Sequence, residues 1–469
     1  MYKEKISAWV DAHKDEMIED ICELCRINSE KMPEEEDMDM PFGPGAAECL
    51  DTALDMAEGY GFETCSYDGY VGCVDMNELP HQLDILAHLD VVPAGEGWTV
   101  TEPFKPVVKD GKLYGRGTAD DKGPAVAALY AMRAVKELGI PLKKNVRLIL
   151  GTDEECGSSD IKYYYSQEKE APMTFSPDAA YPLVNTEKGR FPGHFTAKFA
   201  CSDALPKLVS IQAGTKVNVV PGKAKAVVEG FTADVLETAA AETETETGIR
   251  FDFAVEGAVT TVIATGIGAH ASTPEVGNNA LTGLLVFLGK LAFASCEQID
   301  MVRKAAALIP HGDVNGQTLG VSMEDELSGK LTLSFNMLTV DAGSLDGEFD
   351  GRVPVCGNND NVLEVVRSRM AEQGLTLLNK EMTPPHHVPG DSKFVKTLLA
   401  AFEMYTGRKG ECQSMGGGTY VHNLKNGVAF GAAMPETDNK MHGPDEFAVV
   451  DELVVSAKIF AQAIVDLCK

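Results

Sequence analysis

Apolar positions recur at helical spacing from the start of the chain. MYKEKISAWVDAHKDEMIEDICELC interleaves charged residues with one apolar stripe, which predicts a helix to about Cys25. A polar acidic stretch, SEKMPEEEDMDM, follows as a loop. GAAECLDTALDMAEGYG then resumes the helical period and stops at a glycine, a common helix end. Short runs rich in apolar residues come next, at 83–87, 146–150 and 173–176, each the length of a buried strand. Between the first two lies DKGPAVAALYAMRAVKELG, a helix of small and apolar residues closed by a glycine. Strand–helix–strand order predicts an α/β domain with a mostly parallel sheet flanked by helices.

The pattern changes after about Thr186. LTLSFNMLTV at 331–340 alternates so that every second residue can face a core, and glycine-rich turns separate such strands. Near PPHHVPGDS the α/β character returns, with a helix in SKFVKTLLAAFEMYTG and a strand in VAFGA. The predicted organisation is a discontinuous α/β domain, 1–186 and 388–469, interrupted by an inserted α+β domain, 187–387. The insertion is long enough for two small α+β sub-units of about 100 residues each. ETETE at 242–246 reads as a solvated loop tip.

Composition narrows the classes. A chain of 469 residues with 44% hydrophobic content exceeds the usual single domain and can fill real cores. No apolar run approaches the roughly 20 residues of a membrane span. The N-terminus lacks the continuous apolar stretch of a signal peptide, so the expected address is cytoplasmic. Eleven cysteines, an odd number, suggest reduced thiols. Cys22 and Cys25 spell C-x-x-C inside a helix with no second pair, which reads as packing, and Cys156, Cys356 and Cys412 read as equally inert. A net charge of −30 argues against nucleic acid and anionic membranes as partners.

Five residues able to ligate a metal each follow a predicted strand. They are His88 in ILAHLD, Asp120 in GRGTADDKG, Glu155 in GTDEECG, Asp178 in FSPDAAYP and His442 in KMHGPDE. Carboxyl ends of strands converge on one crevice in open α/β sheets, so these positions can meet. Two imidazoles and three carboxylates make two equivalent sites if one carboxylate bridges. Each ion then receives one histidine, one terminal carboxylate and half of the bridge, and a shared water completes four ligands. That is the two-metal hydrolase arrangement, with ions about 3.5–4 Å apart. Asp90, two residues from His88, is placed to accept the second ring N–H and fix the tautomer. Glu154, beside Glu155, is placed to take a proton from that water and return it to a leaving amine. Singly, each residue has an ordinary reading: a core histidine, a helix cap, an exposed acid, a turn. The combination is far more specific than its members.

The segments AHLDVVPAGEGW, LYGRGTADDKGP, GTDEECGSSD, FSPDAAYP and MHGPDE resemble the aminoacylase and glutamate carboxypeptidase family of two-zinc metallopeptidases. Across its whole length the chain is most similar to the PepV-type dipeptidase branch. The resemblance implies metal ligands at His88, Asp120 (bridging), Glu155, Asp178 and His442. It also implies a general base at Glu154, an orienting role for Asp90 and a non-proline cis peptide at Asp120–Asp121. In the insertion, Asn218 in KVNVVPG, His270 in GIGAHASTPEVGNNA and Arg352 in DGRVPV resemble residues of the family's second domain. By that likeness His270 donates to the carbonyl oxygen as it becomes an oxyanion. Arg352, with Asn218, holds a free C-terminal carboxylate through its planar fork.

MGGGTY at 415–420 lacks the lysine of a phosphate loop and the spacing of a dinucleotide fingerprint. Gly417 and Gly418 are read instead as close backbone approach to substrate. The expected activity is hydrolysis of dipeptides with a free C-terminal carboxylate. An N-acyl amino acid amidohydrolase or a carboxypeptidase on the same two metals is the rival. The expected cofactors are two divalent ions, zinc first, with manganese or cobalt as alternatives. The insertion lets His270 serve its own chain, so a monomer is expected. Trp98 is assigned to a pocket wall, His386 and His387 to a hinge, and His422 to the core or a pocket edge.

Overall fold

The computed structural model describes residues 2–32 and 40–469, so 33–39 of the expected acidic loop lie outside the described residues. The chain separates into two compact units. One comprises Met1–Thr186, His387–Ser414 and Gly418–Lys469; the other comprises Glu187–His386 and Met415–Gly417.

The first unit is built on a mixed sheet. Its centre is parallel, with Asn145–Gly151, His81–His88, Met173–Ser176 and Gly427–Ala429 side by side in that order. Val71–Asp75 and Glu63–Tyr67 extend one edge antiparallel, and Leu183–Glu187 lies beyond the other. Leu83, Ile85, Leu86 and Ala87 are all fully buried, as expected for a strand covered on both faces. The helix Lys122–Glu137 is buried almost all round, because its alanines let it lie close against Val450–Cys468 and the sheet. The N-terminal stripe forms two helices rather than one, Lys3–Ala12 and Lys14–Cys25. The break is at His13, whose ring Nδ1–H donates to the Trp9 carbonyl at 2.7 Å and whose ring stacks on the indole.

The second unit carries one continuous eight-stranded antiparallel sheet. In spatial order it runs Arg250–Glu256, Val259–Thr265, Lys223–Glu229, Lys207–Ala213, Thr332–Val340, Ser344–Val353, Gly189–Lys198, Thr376–Leu377. The two expected sub-units are thus halves of one sheet with a shared apolar core. ETETE is not a loop tip; it lies in the helix Ala233–Thr247. Leu236, Ala239 and Thr243 bury one face of that helix and leave the glutamates on the other.

All eleven cysteines are free, and Cys22 and Cys25 are buried in their helix. Burial pushes the thiols of both above their ordinary value, and the same holds for Cys156, Cys356 and Cys412, so none is activated. Among the described residues no helix is long and apolar enough to cross a membrane.

Candidate active site

Three of the five proposed ligands sit where strands end. His88 closes His81–His88, Asp178 follows Met173–Ser176, and Glu154 and Glu155 open a short 3-10 turn after Asn145–Gly151. The other two do not follow a strand directly. Asp120 lies in the loop between the hairpin strand Lys112–Tyr114 and the helix Lys122–Glu137, and His442 lies in the long loop after Ala432–Ala433. The peptide Asp120–Asp121 is cis.

All five come together within the first unit, and Asp120 is at their centre. Its Oδ1 is 3.1 Å from His88 Nε2, and its Oδ2 is 2.9 Å from His442 Nε2. Asp178 Oδ2 stands 3.8 Å from His88 Nε2, and Glu155 Oε1 stands 3.2 Å from His442 Nε2. The result is two half-sites sharing one carboxylate: His88 with Asp178, and His442 with Glu155. The other ring nitrogen of His88 bonds the Asp90 backbone carbonyl at 3.0 Å, with the Asp90 carboxylate at 3.4 Å. That leaves Nε2 facing the carboxylates. The Asp90 carboxylate is mainly occupied elsewhere, accepting the backbone N–H groups of Glu154 and Glu155 at 3.1 and 3.0 Å.

The electrostatics are those of a cradle crowded with negative charge. Burial would depress the His88 imidazolium, but Asp120 and Asp90 prevail and hold its pKa well above the usual range. Asp120 and Glu155 raise His442 to about 10. Burial would raise Asp120, yet His442 and His88 hold it well below an ordinary aspartate. Burial and the Asp120 charge push Asp178 well above its ordinary value. Burial pushes Glu154 up to about 8, with His88 pulling against Glu155, Asp120 and Asp90. Four carboxylates around two imidazoles are a set that divalent cations would neutralise. Glu155 Oε1, buried and facing His442 Nε2 at 3.2 Å, fits a ligand role in the same way. His88, Asp120 and Glu155 form one group with metal-ligand spacing, and His88, Glu154 and Asp178 form another.

Sequence reasoning missed the groups that hold this cradle. Glu446, in the same motif as His442, is fully buried and pairs with Arg116 at 2.5 Å. Its other oxygen accepts the N–H groups of Ala119 and Asp120 at 3.0 and 3.3 Å. One carboxylate therefore ties the His442 loop to the backbone of Asp120, which explains how two residues without a preceding strand are still placed. Asp445 secures the same loop by accepting from Thr99 N–H, Thr99 Oγ1 and Val100 N–H at 2.7, 2.6 and 2.9 Å. Trp98 packs beneath Arg116, its ring 5.4 Å from the guanidinium. A charged residue between glycines in GRG, and a second acid after HGPD, were the available signals.

Within the second unit, Ala269–His270 pairs with Val219–Val220, and Ala271 N–H donates to the Asn218 carbonyl at 2.9 Å. Ser272 N–H donates to His270 Nδ1 at 3.2 Å, with Ser272 Oγ 2.7 Å away. A backbone N–H can only donate, so the ring proton sits on Nε2, the form able to donate to an oxyanion. Arg352 differs from expectation. Its Nε–Nη2 edge already grips Asp350 at 2.6 and 3.0 Å, and Nη1 donates to the Gly416 carbonyl at 2.7 Å. The side chains of this pair are 6% and 7% exposed, so Asp350 cancels the charge and the remaining Nη hydrogens are what Arg352 can offer. A Cβ on Gly416 would lie 3.0 Å from Ser272 Cβ, which brings the glycine-rich turn, Arg352 and the His270 loop together. Gly417 belongs to this unit and Gly418 to the other. His387 Nδ1 is 2.9 Å from Thr186 Oγ1 where the chain passes between units, and His422 is buried at 4% exposure.

Residues 85–466 match peptidase family M20/M25/M40. The chain belongs to that family. Two relatives are each 35% identical: YtjP of Bacillus subtilis, over 97% of this chain and 98% of its own, and the Beta-Ala-Xaa dipeptidase of Lactobacillus delbrueckii subsp. lactis, over 98% and 97%. Human carnosine dipeptidase 1 shares the fold at a TM-score of 0.61 with 16% identity, covering 100% of this chain and 99% of that one. Dug1p of Saccharomyces cerevisiae shares it at 0.59 with 14% identity, covering 99% and 98%. As an M20 member the chain is a metallopeptidase, a hydrolase whose fold combines a catalytic and a lid domain.

Proposed function

We propose that this M20 peptidase hydrolyses dipeptides bearing a free C-terminal carboxylate, on a centre of two divalent ions. The observation that carries the reading is Asp120, whose two oxygens face two different imidazoles. His88 and Asp178 would hold one ion, His442 and Glu155 the other, and Asp120 both. Zinc suits this mixed imidazole and carboxylate set, with manganese or cobalt as alternatives. Such ions would polarise the scissile carbonyl and make water acidic enough to react at neutral pH. Glu154, its backbone held by Asp90, would accept a proton from the attacking water and return it to the leaving amine. His270, protonated on Nε2, donates to the developing oxyanion. Arg352, Asn218 and the backbone at Gly417 and Gly418 receive the substrate carboxylate.

The dipeptidase choice is supported by the names of the relatives, one of which acts on Beta-Ala-Xaa dipeptides. The insertion supports a monomer in which His270 serves its own chain. Free thiols throughout support a reducing, cytoplasmic setting. The test is metal-reconstituted protein on a panel of α- and β-alanyl dipeptides, with tripeptides and N-acetyl amino acids as controls. Preference for dipeptides supports the proposal; cleavage of the N-acetyl amino acids alone would move the enzyme to the amidohydrolases.

A further inference from the structure

Four successive backbone N–H groups, those of Thr152, Asp153, Glu154 and Glu155, end on two carboxylates. Asp90 takes the last two. Asp160 Oδ2 takes the first two, at 2.6 and 2.9 Å. The same oxygen accepts the hydroxyl of Tyr420, while Oδ1 accepts the Ile161 N–H at 2.6 Å. Asp160 is fully buried and Tyr420 is 4% exposed. The Tyr420 ring also stands edge-on to the His88 imidazole, with centroids 6.1 Å apart at 89°. One tyrosine therefore abuts a ligand of one half-site and, through Asp160, holds the turn that carries Glu155 and Glu154. Gly151 leaves the space for this contact: a Cβ there would lie 2.1 Å from the Tyr420 hydroxyl and 2.6 Å from Asp160 Oδ2.

An oxygen that accepts three donors from three directions cannot follow the turn if it pivots about Gly151. Any such pivot breaks at least one hydrogen bond in a site closed to replacement water. We infer that Tyr420 and Asp160 form a positioning pair, which fixes the 152–155 turn against His88 and so sets the spacing of the two half-sites and the reach of Glu154. Both groups are buried and act through the turn. The inference rests on the two-metal dipeptidase reading.

The test uses Tyr420→Phe, Asp160→Asn, their double variant and Gly151→Ala. Metal-free proteins are titrated with Co²⁺, followed by calorimetry and visible absorption, and kcat and KM are then measured at saturating metal. Tyr420→Phe is expected to fold as wild type does, yet to weaken one Co²⁺ binding step by about 10–100-fold with a changed absorption band. Its kcat should fall by a similar factor, with KM within about two-fold. The double variant should be no worse than the more severe single, because the two residues act as one unit. Gly151→Ala should reproduce these losses, and it decides the matter with Tyr420→Phe if Asp160→Asn does not fold. Wild-type Co²⁺ titration and kcat in Tyr420→Phe, or additive losses in the double variant, would overturn the inference. Wild-type protein that binds two Co²⁺ but cleaves no dipeptide would defeat the functional reading alone, since the Co²⁺ titrations still report on the pair.

Discussion

Replacing Arg116 with methionine isolates the fully buried Arg116–Glu446 pair at the site. The Arg116 side chain is 1% exposed and that of Glu446 is 0% exposed. Removing one partner of such a pair costs about 3–5 kcal/mol, because the other charge stays buried and unmatched. Burial already pushes the Glu446 carboxyl up to about 7, against the pull of Arg116. Without the guanidinium, Glu446 takes a proton near neutrality, which keeps the cost at the lower end. At about 1–2 °C per kcal/mol for a chain of this size, the metal-free protein should melt about 3–6 °C lower in a calorimetric scan. Arg116→Met with Glu446→Gln should recover most of this loss, since no bare charge remains and the amide oxygen still accepts from Ala119 and Asp120. A single variant melting within about 2 °C of wild type would refute the reasoning, as would a double variant in which the losses add.

Glu154→Gln should bind metal as wild type does while kcat falls by about 10²–10⁴-fold, measured with metal content in the same samples; near wild-type turnover would remove Glu154 as the base. C-terminal amides of good dipeptide substrates should lose about 10–100-fold in kcat/KM, the worth of charge-assisted hydrogen bonds to the carboxylate; equal rates for acid and amide would show that no carboxylate is read. Burial raises the Asp160 carboxyl from an ordinary 3.8 to about 7, so the folded state holds this proton more tightly than the unfolded one. Its stabilising contribution is full below about pH 4 and is lost as pH rises through about 7. Asp160→Asn should therefore remove a decline in unfolding free energy across that window, read by urea denaturation of metal-free protein, and an unchanged slope would count against it. Mixing His270→Ala with Glu154→Gln protein should restore no activity if each chain completes its own site; recovery would mean that subunits share sites.

The strands at 83–87, 146–150 and 173–176 were legible because a parallel sheet buried on both faces favours short runs rich in apolar residues. The proposed ligands at their ends were legible from their position after these runs. Asp120 and His442 were legible as residue types in motifs, but not in their placement. No strand leads directly into either, and the buried carboxylate of Glu446 does the placing, which no periodicity reveals. Asp90 lies beside His88, yet its carboxylate chiefly holds the Glu154–Glu155 backbone, a contact across more than sixty residues of chain that local spacing cannot encode. Arg352 was identified as a cation suited to a carboxylate, while its partner Asp350, two residues away on the same strand face, passed unnoticed. ETETE looked like a loop because its charges dominate; the buried stripe of Leu236, Ala239 and Thr243 at helical spacing outweighs them.

A proposed two-ion centre shared through Asp120 makes dipeptide turnover depend on the second bound ion. Metal-free protein is supplied with increasing zinc, and dipeptide turnover is followed together with bound metal. The expected result is turnover that reaches its plateau at two bound ions per chain in wild type, and no such plateau in Asp120→Ala. Full turnover at one bound ion, or an Asp120→Ala protein that still binds two ions and cleaves dipeptides, would contradict it.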